Sequence, residues 1–192
     1  AEDLKKIKSG FLEIPVGDCK ESILHLYPNL QDENAPLIKY QQSMDQDLCL
    51  SNALASVLYR CRMTKCAEDM RKFGEAQLLG GSINTLENVK SYAAEVLPRW
   101  IKCKCIKGGF DWKTDLEQGD ILLAVLLAND GHNSHGVAIH NGFIYDANES
   151  KAIPLCQEGL DLCCSTESRK CVFVRFWRGY VFHYKGSRAC KM

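Results

Sequence analysis

Cys49 stands at the head of an apolar run, Gln46-Asp47-Leu48-Cys49-Leu50-Ser51-Asn52-Ala53-Leu54. Well downstream lies a histidine-bearing segment, Ser134-His135-Gly136-Val137-Ala138-Ile139-His140-Asn141-Gly142-Phe143-Ile144-Tyr145-Asp146-Ala147-Asn148. A thiol and an imidazole brought together make a nucleophile and its base, the minimum for acyl transfer through a thioester. A third group must hold the imidazole in the right tautomer, and Asp146 and Asn148 can both accept its second N–H.

These side chains need elements to position them. Leu50, Ala53, Leu54, Val57 and Leu58 recur at helical spacing, which predicts a helix packed into the core behind Cys49. With Asp47 as N-cap, Cys49 falls in the first turn, where unpaired N–H groups and the positive dipole end favour a thiolate. On the histidine side, Asn141-Gly142 between two apolar segments predicts a two-residue hairpin turn, and such a turn fixes the register. His140 then faces Phe143, Ile139 faces Ile144, Val137 faces Asp146 and His135 faces Asn148. Side chains alternate along a strand, so His135, Asp146 and Asn148 project from one side and His140 from the other. Asn148 lies opposite His135 and Asp146 on the diagonal, and the pattern leaves both open as the orienting group.

Competitors are few. Cys66 follows the possible cap Thr64, but Glu68 and Asp69 behind it disfavour a thiolate. His132 is the near competitor of His135, while His25, His140 and His183 read as structural or surface residues.

The chain has 192 residues, 46% of them hydrophobic, enough to bury the core of one compact domain spanning 1–192. Its parts read as an approach segment 1–46, a helical half 47–98 and a sheet half 99–192. Helices are expected over Lys65–Leu79 and Ser82–Leu97, the latter with Ile83, Leu86, Val89, Ala93 and Val96 on its apolar face and Pro98 as its stop. Strands are expected over Trp100–Ile106, Ile121–Ala128, the 135–147 hairpin, Ala152–Leu155, Cys171–Trp177 and Tyr180–Tyr184. Helices first and sheet second make the fold class α+β.

Twenty-four basic residues balance twenty-four acidic ones, so nothing in the net charge points to nucleic acid or an anionic membrane as a partner. The aromatic, basic stretch Phe173–Tyr180 reads as a core hairpin with outward arginines rather than a base-stacking platform. No apolar run approaches the roughly 20 residues that span a bilayer. The eleven cysteines suit either a reduced cytoplasmic chain, the reading preferred here, or a secreted one with ten of them bridged. Ala1–Lys6 lacks the apolar region of a signal peptide. The cysteine spacings do not form paired Cys-x-x-Cys knuckles, so no metal site is expected.

The order of these motifs resembles that of the papain-like cysteine peptidases, with Cys on a central helix and His, then Asp or Asn, on later strands. His-Gly-Val-Ala-Ile followed by Ile-Tyr-Asp-Ala-Asn-Glu is similar to the His…Asp-Pro-Asn region of bacteriocin-leader-processing and Yersinia-effector-type cysteine peptidases, with Ala147 where Pro is common. Cys49-Leu50-Ser51-Asn52-Ala53-Leu54 resembles the nucleophile segment of ovarian-tumour-type deubiquitinases. Those usually place Asp three residues before the cysteine, where this chain has Gln46. Gln118-Gly119-Asp120-Ile121-Leu122 is similar to the Gly-Asp that precedes the histidine strand in bacterial cell-wall cysteine endopeptidases. The likeness covers roughly residues 40–155.

The resemblance implies a thiol hydrolase without metal or organic cofactor: Cys49 as nucleophile, His135 as base, and Asp146 or Asn148 as orienter. Papain-like enzymes carry an oxyanion-hole glutamine about six residues before the cysteine. Position 43 is serine here, and the role passes to Gln42. The implied partner is a protein substrate, with ubiquitin or a ubiquitin-like modifier first and a host or self polyprotein next. Transglutaminase-like transfer or glutamine deamidation would use the same residues, and a catalytically inactive, cysteine-rich binding protein on the same scaffold is the alternative from a different class.

Overall fold

The computed structural model describes residues 28–42, 47–81, 84–107, 111–128, 134–163 and 174–184. A short 3-10 turn at Pro28–Leu30 precedes three helices, α1 (Cys49–Arg60), α2 (Thr64–Leu79) and α3 (Leu86–Val96). The sheet follows as β1 (Lys102–Lys107), β2 (Ile121–Ala128), β3 (Ser134–His140), β4 (Phe143–Tyr145), β5 (Ile153–Pro154) and β6 (Val174–His183), with α4 (Gln157–Cys163) between the last two strands. All pairings are antiparallel, in the order β1-β6-β2-β3-β4-β5. The fold is therefore α+β, N-terminal helices packed on a C-terminal antiparallel sheet.

β2 explains the two-sided core. Its sequence Ile-Leu-Leu-Ala-Val-Leu-Leu-Ala has no polar face, because both faces are covered. Ile121, Leu123 and Val125 pack with the α1–α3 helices, among Leu54, Leu58, Met70 and Val89. Leu122, Ala124 and Leu126 pack on the opposite side with Leu30, Leu160 and Leu162. The site-bearing elements are thus fixed on a sheet held from both sides.

The apolar positions expected to bury α1 do so: Leu50, Ala53, Leu54, Val57 and Leu58 are all in the helix-side core. Its start differs from expectation. Leu48, not Asp47, is the N-cap residue, and no local side chain caps the helix. Asp47 is exposed, and its backbone carbonyl accepts a hydrogen bond from Asn84 Nδ2 (2.8 Å). A distant amide takes over near the helix start, where Gln42 Oε1 accepts the Leu48 N–H at 2.8 Å.

Two other boundaries move for identifiable reasons. Helix α3 begins at Leu86 rather than Ser82, because Thr85 Oγ1 accepts the Asn88 N–H and closes the helix there. Ile83 lies outside the described residues. The expected turn at Arg178-Gly179 does not form. β6 runs straight through it, paired to β1 on one side and β2 on the other, and the irregularity is absorbed as a bulge opposite Val125/Leu126. The Phe173–Tyr180 stretch is therefore no hairpin, and Phe173 itself is outside the described residues. The short helix α4 was not signalled by any long periodicity.

The hairpin formed as its turn dictated. Asn141 and Gly142 both have positive φ, at 47° and 79°, as a type I′ turn requires, and Ala138↔Tyr145, Ile139↔Ile144 and His140↔Phe143 are paired. Helix α1 lies along β3 with its first turn at Gly136 and its C-terminal end at His140. A Cβ on Gly136 would fall 2.5 Å from Leu50 Cδ2 and 3.1 Å from Cys49 Sγ. Only a residue without a side chain lets the helix approach this closely. Gly136→Ala should lower stability by about 1–3 kcal/mol, the usual range for overpacking, and should slow Cys49 alkylation by displacing the helix. Urea unfolding and a timed thiol-labelling experiment check both effects; a fully stable, equally reactive variant would contradict this seating.

Candidate active site

His135 is buried, with 8% of its surface exposed, and Asp146 has 1% exposed. His135 Nε2 donates to Asp146 Oδ1 at 2.9 Å. With Nε2 engaged, Nδ1 is the ring nitrogen left over, and the Cys49 sulfur is near enough to the ring to raise its pKa. Cys49 itself is half-buried at the open N-terminal end of α1. Burial works against a charged imidazole, but the Asp146 carboxylate and the Cys49 sulfur outweigh it and hold the His135 pKa up, at about 10. The buried carboxylate on its far nitrogen thus favours a positively charged His135 ring beside the Cys49 sulfur.

The hairpin register alone would have set Asn148 opposite His135. The β3–β4 ladder ends at Ala138↔Tyr145, and beyond it the chain turns. Asp146 Oδ1 also accepts the Asn148 N–H at 3.0 Å, and the Glu149 N–H bonds the Asp146 carbonyl at 3.0 Å. This Asx-type turn swings Asn148 away from the strand line and leaves Asp146 as the partner of His135. Asn148 goes instead to Gln42, whose Nε2 donates to its Oδ1 at 3.1 Å. The Gln42 amide thus stands beside the site with both ends engaged, its Oε1 toward the start of α1 and its Nε2 toward Asn148.

A second thiol and imidazole meet at the other end of α1. Cys61 Sγ lies 3.5 Å from His140 Nε2, and His140 Nδ1 donates to the backbone carbonyl of Asp120 at 3.1 Å. Burial pushes the Cys61 thiol up to about 11 and moves the His140 pKa below its ordinary value. The pair is therefore neutral, with S–H donating to an unprotonated ring. The Asp120 carboxylate does not serve His140; its Oδ1 accepts from His183 Nδ1 (3.1 Å) and its Oδ2 from the Glu117 N–H (3.0 Å). The two rings differ because His135 has a carboxylate on its far nitrogen, which favours its charged form, whereas His140 has a backbone carbonyl there. The Cys61–His140 contact joins the helix to the sheet.

Among the other candidates, Cys66 has its thiol pKa raised by burial and by Asp69. His25 and His132 lie outside the described residues. None of the seven described cysteines is in a disulfide, and no group of three or more described His, Cys, Asp or Glu residues could hold a metal. No described helix is long and apolar enough to cross a membrane. A groove of about 500 Å³, lined by Tyr40, Gln41, Leu48, Asn52, Leu78 and Leu79 among others, opens one residue from both Gln42 and Cys49. Sequence reasoning missed the contact between Gln42 and Asn148, for which no local signal exists.

No protein-family model matches this chain, and no curated protein or solved structure matches it at a significant level.

The raised His135 pKa has a consequence for stability. Unfolded histidine titrates near 6.5, so the stabilisation from His135–Asp146 is fully present below about that pH and is lost as pH rises toward about 10. Wild-type protein should lose unfolding free energy between pH 6.5 and 9, while Asp146→Asn should show a flatter dependence over the same window. Urea midpoints at several pH values measure this, and parallel curves would refute a charged His135–Asp146 pair.

Proposed function

We propose that this protein is a thiol hydrolase of the papain-like kind, most simply a cysteine peptidase that cleaves peptide or isopeptide bonds. The observation that carries the reading is the position of His135, with its Nε2 on buried Asp146 and its ring in reach of Cys49 at the head of α1. The Cys49 thiolate attacks the substrate carbonyl carbon and forms a C–S bond while the carbonyl π electrons move onto oxygen. The N–H groups of the first turn of α1, which have no partner within the helix, and the Gln42 amide are the donors assigned to this developing charge. When the oxyanion collapses, the C–N bond breaks and the departing amine takes the proton from His135. Water, giving a proton to His135, then attacks the thioester, and expulsion of the thiolate restores the site.

The leading substrate is ubiquitin or a ubiquitin-like modifier, a choice resting on the resemblance of Cys49–Leu54 to the ovarian-tumour-type segment. Endoproteolysis of a host or self polyprotein is the next candidate. In a ubiquitin C-terminal electrophile assay, wild type should gain one adduct by intact mass and Cys49→Ala none. An adduct that persists in Cys49→Ala would refute the nucleophile assignment. If Cys49 is alkylated rapidly but takes no ubiquitin adduct, the deubiquitinase choice fails and the peptidase reading stands. If Cys49 labels no faster than the exposed Cys103 and Cys105, the enzyme reading fails in favour of an inactive binding protein.

A further inference from the structure

Resting on that reading, we propose that Asn148 is a positioning residue, which through Gln42 fixes the separation between the nucleophile helix and the Asp146–His135 pair. Gln42 is held at three points: its N–H donates to the Ala147 carbonyl (2.9 Å), its Nε2 to Asn148 Oδ1 (3.1 Å), and its Oε1 accepts the Leu48 N–H (2.8 Å). Asn148 in turn gives its own N–H to Asp146 Oδ1, the same oxygen that takes His135 Nε2. One hydrogen-bonded path therefore runs from the residue before Cys49, through Gln42 and Asn148, to the carboxylate that orients the base.

Further contacts of the surrounding chain reinforce this path. Ser56 Oγ accepts the Tyr40 N–H and Asn52 Nδ2 donates to the Gln41 carbonyl, tying residues 40 and 41 to the flank of α1. Ile38 N–H to the Ser150 carbonyl and Ala152 N–H to the Pro36 carbonyl tie the same segment to the far side of the turn. The strap is thus anchored to both bodies, and the Gln42–Asn148 contact is its point nearest to the reacting groups. Among the described residues, the Asn148 side chain bonds Gln42 and neither the thiol nor the imidazole. It acts by holding Gln42 against the helix start and Asp146 in its turn.

Alkylation of Cys49 with iodoacetamide separates this role from oxyanion stabilisation, because that displacement forms no oxyanion. Asn148→Ala and Gln42→Ala should each slow Cys49 alkylation near pH 7 by roughly tenfold and move the rate–pH curve toward alkaline pH. The double variant should be no worse than the slower single one, as expected of groups on one path. Asn148→Ser serves as a milder change, and far-UV circular dichroism verifies folding in each case. A wild-type rate that falls in His135→Ala but is matched in magnitude and pH profile by the folded Asn148 and Gln42 variants would overturn the positioning role alone. A wild-type rate already equal to that of His135→Ala would overturn the activated-nucleophile reading and this proposal with it.

Discussion

The seating of α1 on β3 is the constraint on which the candidate site depends. Gly136 removes the side chain that would hold the helix off the strand, and Leu50 fills the space against it. The helix then meets an imidazole at both ends, His135 at Cys49 and His140 at Cys61. The two contacts differ in what lies beyond the ring. A buried carboxylate stabilises positive charge on His135, whereas a backbone carbonyl and desolvation leave His140 uncharged.

This arrangement places chemistry at the junction of two rigid bodies. β2 is buried on both faces and holds β3 in register, while α2 packs along α1 and α3 packs against α2 and β2. The less regular parts are the approach segment 36–42 and the turn at 146–152, and these are bound to each other and to α1 by backbone and amide hydrogen bonds. Hydrogen bonds of this kind suit fine adjustment of a site. They fix separations to a few tenths of an ångström, whereas apolar packing fixes which elements meet.

Several residues show how far local pattern reaches. The helix behind Cys49 was legible because its apolar positions repeat at a helical period, and β3–β4 because Asn141-Gly142 permits positive φ at both turn positions. The choice between Asp146 and Asn148 was not legible. Strand alternation treats both as facing His135, and it takes the Asx turn, formed when Asp146 captures the Asn148 N–H, to separate them. Arg178-Gly179 looks like a turn in isolation, yet two neighbouring strands keep β6 extended through it. Asp47 has the chemistry of an N-cap, but the helix start is served by Gln42 from outside the local chain.

The sequence by itself determined the α+β class, the core face of α1, the hairpin register and the short set of residues able to do thiol chemistry, because each rests on periodicity or turn stereochemistry within a few residues. The tertiary structure alone decided that Asp146 and not Asn148 bonds His135, that Gln42 joins Asn148 to the start of α1, and that the His135 ring favours its charged form while His140 stays neutral. Those outcomes depend on burial and on partners far apart in the chain. Hydrogen-bond geometry and desolvation are properties of the folded neighbourhood, and no local pattern encodes them.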